Sequence, residues 1–291
     1  MYERICPNCN KVITYKSYGG WHTACKTNQW CRSCASYKRT KHYSDLSVLL
    51  KETPEAYYWI GFLLADGSFN KHRISLGLSI KDKVHLLKFV KFIKFTGTLD
   101  ETDIKCTVRT MDNKIVPKIM HKFDIKSRKT YNPPQIDFTQ LNKNLLLSLI
   151  CGFIDGDGCI KYQFKRKDFV LTIKCHASWL NILNQFGKIL GDETHCKLNS
   201  AGYAVLNITN TKLLKQLKLK VLSLNLPLLT RKWDRIDLNF RSKYEIAEEL
   251  RQNVFKEFRL NILSKTDIAK KYNTSNANIT KLYKKYEATT I

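Results

Sequence analysis

Two aspartates, Asp66 and Asp157, occur in matching local sequences that could support metal chemistry. Residues 60–67 and 151–158 share a glycine, a phenylalanine, the acid and a following glycine. Two carboxylates brought together repel each other unless a cation bridges them, and Mg²⁺ prefers such oxygen ligands. A cation held there can activate water and stabilise the leaving oxygen in phosphodiester cleavage. A single Asp-Gly pair usually just ends a helix, but the repeat predicts a metal-dependent site.

A helix is predicted before each acid. Thr53 and Pro54 supply a capping hydroxyl and a proline at the first helical position, which predicts a helix over residues 55–65. Asn142 or Asn144 is predicted to begin the matching helix, which continues through residue 154.

Small residues recur four positions apart in both predicted helices: Gly61 with Ala65, and Gly152 with Gly156. Residues four apart share one helix face, and a face without bulky side chains lets two backbones approach closely. The spacing therefore predicts that the two helices pack together and place their two acids side by side.

Similar patterns follow the two acids. Period-two alternation predicts strands over residues 73–80 and 104–109 in the first copy, and over 160–165, 169–175 and 203–208 in the second. Helices are predicted over 83–95, 116–123, 178–190 and 213–217. The sequence therefore predicts an α+β core over residues 44–240, in which the order αββαββα occurs twice. The two halves span about residues 50–135 and 140–240.

The outward faces of these strands are mostly cationic or amide, the side-chain types that contact phosphates and base edges. A half-buried antiparallel sheet often has a polar face for other reasons. The predicted DNA contacts from the sheets are Lys105, Arg109, Lys161, Gln163, Lys165 and Lys174.

A basic pair lies late in each copy, Arg128-Lys129 and Arg231-Lys232. A lysine near a metal-bound phosphate can stabilise developing charge or perturb the attacking water. Because 50 of the 291 residues are Lys or Arg, such pairs are common, and the spacing alone favours this role only weakly.

The net charge is +25, from 50 Lys and Arg against 25 Asp and Glu. Such an excess predicts a polyanionic partner, either nucleic acid or an anionic membrane surface. The membrane alternative is weaker because no apolar run approaches the ~18 residues that a span requires. Hydrophobic residues make up 43% of the chain, which is enough for a buried core.

Two C-x-x-C pairs, Cys6 with Cys9 and Cys31 with Cys34, predict a structural Zn²⁺ site in a small module over residues 1–43. Cys25 is a competing candidate ligand, but it lacks such a partner and is predicted to lie in the module's core. The module is either a finger that contacts phosphates or a folding staple, and the two roles are compatible. Ten cysteines without a secretory segment predict a reducing, intracellular compartment, such as the cytoplasm, the nucleoid, a phage-infected cell or an organelle, rather than secretion.

Residues 241–291 are predicted to be helical. A linking helix is expected over 244–258, and the capping pattern Ser264-x-x-Asp267 precedes a helix over 268–273. A last helix is expected from Thr274 or Ser275. This spacing is similar to a helix-turn-helix, in which the groove-facing residues would be Ser275, Asn276, Asn278 and Lys281. A generic helical hairpin is the alternative.

The two Asp-Gly stretches resemble the paired motifs of LAGLIDADG homing endonucleases, over about residues 50–240. The second is close to the family consensus, whereas the first has Leu64 where an acid is usual. The resemblance implies two pseudo-symmetric halves that form a DNA-binding saddle in one chain, hence a monomer. It also implies that Asp66 and Asp157, with the backbone carbonyls of Ala65 and Gly156, hold Mg²⁺ or Mn²⁺. Lys129 and Lys232 match the context of the family's active-site lysines.

The predicted function is that of a site-specific homing endonuclease acting in intron mobility. It would hydrolyse both strands of a long, near-unique double-stranded DNA site and leave short 3′ overhangs. Two alternatives remain open: a catalytically silent DNA-binding regulator, and an RNA maturase that binds intron RNA. The presence of both acids argues against the regulator, but no residue separates RNA from DNA binding.

Overall fold

The computed structural model describes residues 1–34, 43–136, 141–165, 168–191 and 196–290. In residues 1–34 the chain forms a two-stranded antiparallel hairpin and then a helix, and residues 32–34 are helical again. The hairpin consists of β1 (Tyr2–Ile5) and β2 (Val12–Tyr15), and the first helix is α1 (Tyr18–Lys26). The side chain of Ser17 caps this helix by accepting a hydrogen bond from the Gly20 N–H.

The first half of the core contains three helices and a four-stranded antiparallel sheet. In chain order the elements are α2 (Pro54–Ala65), β3 (Gly67–Asn70), β4 (Arg73–Ser79), α3 (Lys83–Phe92), β5 (Asp100–Glu101), β6 (Lys105–Met111) and α4 (Ile115–Lys122). The sheet order is β3-β4-β6-β5. Thr53 caps α2 as the sequence predicts, because its hydroxyl accepts from the Ala56 N–H at 3.3 Å. A 3₁₀ turn, Ile80–Asp82, leads into α3.

The second half repeats this element order. Its elements are α5 (Lys143–Asp157), β7 (Gly158–Gln163), β8 (Asp168–His176), α6 (Leu180–Leu190), β9 (Lys197–Leu198), β10 (Tyr203–Ile208) and α7 (Thr211–Ser223). The sheet order is β7-β8-β10-β9. Asn142, rather than Asn144, caps α5. A 3₁₀ turn, Ala177–Trp179, leads into α6, and a short helix, α8 (Thr230–Trp233), follows α7.

The two sheets also share their pairing register. Gly67 pairs with Leu76, which pairs with Val108 on the next strand. Gly158 pairs with Ile173, which in turn pairs with Leu206. Each glycine directly follows one of the two aspartates, so the acids enter their sheets at corresponding positions.

Helices α2 and α5 pack against each other through their backbones. A Cβ atom on Gly61 would lie 1.8 Å from the Leu149 carbonyl oxygen, and one on Gly152 would lie 1.8 Å from that of Tyr58. Only a residue without a side chain permits this approach. One apolar core surrounds the pair and takes in the inner faces of both sheets, with large buried side chains that include Trp59, Phe89, Phe153, Phe186 and Trp233.

The C-terminal part has a small core of its own. Its helices are α9 (Lys243–Leu260), α10 (Lys265–Lys271) and α11 (Asn276–Thr290). Val254, Ile268, Ala269 and Ile279 are buried together between them. Ser242 and Ser264 cap the first two of these helices.

The mixed α+β class with antiparallel sheets is confirmed, and several element boundaries differ from the prediction. α10 begins directly after its cap, earlier than expected. α7 is longer than residues 213–217, because Asn210 caps it further upstream and the buried Val221 continues its apolar face. The prediction for Cys25 was wrong: Cys25 is exposed, and Ala24 is the buried residue of α1. Within the described residues no helix has the length and apolar character needed to cross a membrane.

Candidate functional site

Asp66 and Asp157 lie at the ends of α2 and α5, which the glycine contacts hold together. Asp66 is the C-cap of α2, and Asp157 is the last residue of α5. A Cβ on Gly156 would lie 3.5 Å from the Asp66 Oδ2 atom, so the carboxylate of Asp66 reaches the residue next to Asp157. Both residues are partly accessible to solvent, although the surrounding protein desolvates their carboxylates. The structure therefore brings together the two acids that the sequence singled out.

The surroundings disfavour two negative charges at this point. Burial raises the pKa of Asp66 above its ordinary value, and the charges of Lys232 and Lys129 oppose the rise. Burial and then the charge of Asp66 raise the pKa of Asp157 to about 6, again opposed by the two lysines. A further cation would stabilise the ionised pair, because the two lysines offset only part of the free-energy cost of ionising both carboxyl groups.

This electrostatic cost leads to a pH-dependent prediction for stability. Ionisation of Asp157 opposes folding above its raised pKa of about 6, and the effect fades as the pH falls toward the ordinary value of 3.8. In buffer stripped of divalent cations by a chelating resin, Asp157→Asn should therefore melt roughly a few degrees above the wild type at pH 8. The gain should shrink at pH 5. Added Mg²⁺ should raise the melting temperature of the wild type more than that of the variant.

The exposed residue Asp103 offers the matched control, since Asp103→Asn makes the same chemical change at a residue that is not among the charges shifting the pKa of either aspartate. A melting temperature for Asp157→Asn that is equal to or below that of the wild type at both pH values would contradict the repulsion. Thermal unfolding followed by circular dichroism is sufficient for the comparison.

Lys129 and Lys232 reach the same helix ends. The Lys129 Nζ donates to the carbonyl oxygens of Leu64 and Ala65 at 2.6 and 2.7 Å. The Lys232 Nζ donates to three carbonyl oxygens at the end of α5: Ile154 at 3.1 Å, Asp155 at 2.6 Å and Gly156 at 2.9 Å. Each ammonium group thus lies at the negative end of a helix dipole, beside an aspartate.

Burial lowers the pKa of Lys129, while Asp157 and Asp66 raise it in part. Burial likewise lowers the pKa of Lys232, opposed first by Asp155. The carbonyls of Ala65 and Gly156, predicted as metal ligands, accept these lysine hydrogen bonds. A carbonyl oxygen has two lone pairs, so the lysine bond leaves one available to a metal ion.

A cavity of about 370 Å³ opens beside this cluster. Its lining includes Lys129, Asp157, Lys174, Cys175 and Tyr203. The Lys174 ammonium lies 4.2 Å from the centre of the Tyr203 ring. The cavity joins the acid-lysine cluster to the open face of the second sheet.

That open face is polar and basic. A shallow groove of about 730 Å³ runs across it, with a lining that includes Lys161, Gln163, Thr172, Lys174, Lys197 and Asn207. None of the described residues that line this groove is acidic. Lys165 is exposed in the turn after β7. Four residues predicted to contact DNA therefore lie on or next to one surface.

The first sheet carries the two remaining predicted DNA contacts of the core. Lys105 and Arg109 are both exposed on β6. Arg109 forms an ion pair with Asp100 of the neighbouring strand. Exposed pairs of this kind contribute little free energy, so an incoming phosphate can compete for the guanidinium. Lys105 is close enough to Asp66 for its charge to lower the pKa of that carboxyl.

Sequence reasoning missed a buried hydrogen-bond network around Asp155. Its carboxylate accepts from the Tyr58 hydroxyl at 2.7 Å, the Leu229 N–H at 2.8 Å and the Trp233 Nε1 at 2.7 Å. Burial raises the pKa of Asp155 to about 6, although these donors oppose the shift. An acid inside an otherwise apolar helix requires buried partners, and that signal was present in the sequence.

The four predicted zinc ligands form one group. The Sγ atoms of Cys6, Cys9, Cys31 and Cys34 all lie within 4.8 Å of one another, with Cys9 and Cys31 3.6 Å apart. Thiolates around a tetrahedral Zn²⁺ at about 2.3 Å lie roughly 3.8 Å from each other. The backbone N–H groups of Cys31 and Cys34 donate to the sulfurs of Cys6 and Cys31. The donor set therefore fits zinc.

Loss of one of these thiolates should release the metal. We expect the purified protein to contain one equivalent of zinc, and Cys6→Ser or Cys31→Ser to lose it with local unfolding of the N-terminal module. Cys25→Ser is the control because Cys25 is exposed and outside the group. Elemental analysis and limited proteolysis measure the two effects. Wild-type zinc content in both ligand variants would exclude the site.

The C-terminal residues predicted to face DNA lie together at the start of α11. Asn276 and Lys281 are exposed. The N–H of Asn278 donates to the Ser275 hydroxyl, and its amide donates to Thr274. Asn273, at φ +47°, turns the chain between α10 and α11. Contact of these residues with DNA stays a prediction.

The sequence matches no protein-family model and no curated protein, whereas solved LAGLIDADG homing endonucleases align with the structure at low TM-scores. I-GzeII in complex with its DNA target gives a TM-score of 0.43 at 14% identity, covering 76% of this chain and 95% of that one. I-LtrWI bound to target DNA gives 0.42 at 15%, covering 81% and 97%. I-SmaMI bound to cleaved DNA gives 0.46 at 16%, covering 70% and 91%. At these identities and TM-scores, the similarity assigns no role to any residue of this chain.

Proposed function

We propose that this protein is a metal-dependent, site-specific endonuclease that cuts both strands of double-stranded DNA. The observation that carries the proposal is the pair of carboxylates, Asp66 and Asp157, held together at the ends of two helices in backbone contact. Packing two helices this closely places two like charges where each raises the free-energy cost of ionising the other. A site for a bridging cation explains that arrangement better than two unrelated helix ends do.

Asp66 and Asp157, with the carbonyls of Ala65 and Gly156, would hold Mg²⁺ or Mn²⁺. All four donors are hard oxygens, which these ions prefer. The raised pKa of Asp157, about 6, supports the fit because the carboxylates lack full compensation from the protein alone. Bound there, the ion would supply Lewis-acid activation of water and of the scissile phosphate.

The two lysines supply fixed positive charge next to the acids. Each ammonium is anchored on the last carbonyls of one helix, Lys129 on α2 and Lys232 on α5. A charge that is already oriented costs little reorganisation when negative charge develops on phosphate oxygens. We assign both lysines the role of stabilising that charge and orienting the attacking water.

The two sheets supply the DNA-binding surface. Their matching strand order and register support a pseudo-symmetric pair of halves. In such a pair the open faces form one saddle across the acids, on which Lys105, Lys161, Gln163, Lys165 and Lys174 read or neutralise the duplex. The net charge of +25 favours binding to a polyanion such as DNA.

The flanking modules lengthen the contact. We propose that the zinc module touches phosphates and that α10 and α11 act as a helix-turn-helix, with Asn276 and Lys281 reaching the groove. A long footprint fits a near-unique target. It also makes binding steeply dependent on salt, because each neutralised phosphate releases counterions.

The test is cleavage of the protein's own genomic locus with the insertion removed. In Mg²⁺ the protein should cut this DNA once and leave short 3′ overhangs, and it should leave the interrupted locus intact. Primer extension on both strands maps the ends. Binding without cleavage in either Mg²⁺ or Mn²⁺ would favour a silent regulator, and preference for the intron transcript over the DNA would favour a maturase.

A further inference from the structure

The segment that carries Lys129 is held by the other half of the core. The Trp179 Nε1 donates to the carbonyl oxygens of Lys129 and Thr130, both at 3.2 Å. The Ser178 hydroxyl donates to the same Thr130 carbonyl at 2.8 Å. Both donors lie in the 3₁₀ turn that precedes α6. Lys129 thus reaches the end of α2 from a backbone that the second half fixes.

The segment that carries Lys232 is held by the first half in a corresponding way. Arg231 makes two hydrogen bonds of 2.6 Å to the carboxylate of Asp82. Asp82 is the last residue of the 3₁₀ turn before α3, as Trp179 is the last residue of the turn before α6. Each half of the core therefore holds, through hydrogen bonds, the lysine-bearing segment of the other half.

The hydrogen bonds that fix the backbone near Lys129 differ from those near Lys232. On the second side the Asp155 carboxylate accepts hydrogen bonds from the Leu229 N–H and the Trp233 indole, which lie at the two ends of α8. The matching position in the first motif is Leu64, which has no acceptor. Lys129 therefore depends on the indole N–H of Trp179, whereas Lys232 depends on a buried carboxylate.

We propose that Trp179 and Asp155 are positioning residues, Trp179 for Lys129 and Asp155 for Lys232, and that each controls the cleavage of a different DNA strand. The inference rests on the proposed endonuclease function. Neither group touches substrate; each fixes the backbone from which a lysine extends. Removing either support leaves buried polar groups without partners, and the backbone moves to satisfy them. A displacement of about 1 Å near the chemistry costs on the order of 10²-fold in rate.

The experiment measures both strands of one DNA molecule. A duplex carrying the target site is labelled differently on each strand, and the two cleavage rates are followed in a single turnover with Mg²⁺. Trp179→Phe keeps a ring beside Phe153, whose ring centre lies 5.1 Å away, and removes only the N–H donor. Asp155→Asn keeps the size of the side chain and removes an acceptor. We expect the ratio of the two strand rates to change by about tenfold or more, in opposite directions for the two variants.

Two control variants separate positioning from general damage. The buried Trp59 Nε1 has no hydrogen-bond partner among the described residues, so Trp59→Phe makes the same change without loss of a contact. Tyr58→Phe removes a donor to Asp155 that does not belong to α8. Both controls should keep the wild-type strand ratio even if they lower stability, because unfolding slows both strands equally. A strand ratio that stays at the wild-type value in Trp179→Phe and Asp155→Asn, or shifts in the same direction in both, would overturn the proposal.

A second measurement does not depend on cleavage. A small acylating reagent, followed by mass spectrometry, reports the accessibility of each lysine amine. Trp179→Phe should increase labelling of Lys129 alone, and Asp155→Asn should increase labelling of Lys232 alone, which is buried in the wild type. If the wild type cuts no DNA but the labelling follows this pattern, the positioning stands and the endonuclease function fails. Labelling that is unchanged, or changed equally at both lysines, would refute the positioning itself.

Discussion

Asp66→Asn and Asp157→Asn should each abolish DNA cleavage while leaving binding of the target site largely intact. A metal-holding carboxylate contributes several kcal/mol of transition-state stabilisation, so its loss should slow single-turnover cleavage on the order of 10³-fold or more. Binding should change little because most of the affinity comes from cationic side chains on the sheets and the flanking modules. Cleavage rates in Mg²⁺ and fluorescence anisotropy of a labelled duplex measure the two effects separately.

Asp103→Asn is the control for this pair, because it removes one exposed carboxylate that is not among the charges that shift the pKa of Asp66 or Asp157. It should cleave like the wild type at equal ionic strength. If both active-site variants lost binding as well as cleavage, the aspartates would have a structural role. If either variant cut both strands at the wild-type rate, that carboxylate would not hold a required ion.

Gly61→Ala and Gly152→Ala should destabilise the core more than other small substitutions in the chain. The new Cβ would lie 1.8 Å from a backbone carbonyl oxygen of the facing helix, and a backbone atom cannot move aside as a flexible side chain can. The two helices must separate, which should cost about 3 kcal/mol or more of folding free energy. Separation would also pull the two aspartates apart, so cleavage should fall even in the protein that remains folded. Urea unfolding followed by tryptophan fluorescence gives the stability.

Gly19→Ala makes the identical change where no atom would lie within 4 Å of the new methyl group. Gly19 lies in the first turn of α1, where alanine is favoured over glycine by at most the ~1 kcal/mol of a helix interior. This control should therefore be neutral or slightly stabilising. Core stability unchanged in Gly61→Ala and Gly152→Ala would show that the helices are not in backbone contact.

Local sequence rules were sufficient for the parts of the site that depend on short-range geometry. Thr53 and Pro54 determine where α2 begins, and the small residues four apart determine which faces of α2 and α5 meet. The pairing of Asp66 with Asp157 follows from their equal position in the repeated motif. Each of these inferences needs only the helical period and the chemistry of a few neighbouring residues.

The supports of the lysines could not be predicted because they join distant parts of the chain. Arg231 pairs with Asp82, 149 residues away, and Trp233 donates to Asp155, 78 residues away. Neither contact follows from a local period. Cys25 was predicted to be buried, whereas α1 turns the preceding residue, Ala24, toward the interior. The two-residue strands β5 and β9 are too short to show any alternation.

The central claim is that Asp66 and Asp157 share divalent cations. Its most direct test is anomalous scattering from Mn²⁺ in crystals of the protein bound to its DNA. We expect a manganese peak within coordination distance, about 2.0–2.4 Å, of carboxylate oxygens of both aspartates and next to a backbone phosphate. Manganese bound elsewhere, with both carboxylates free of metal, would contradict it.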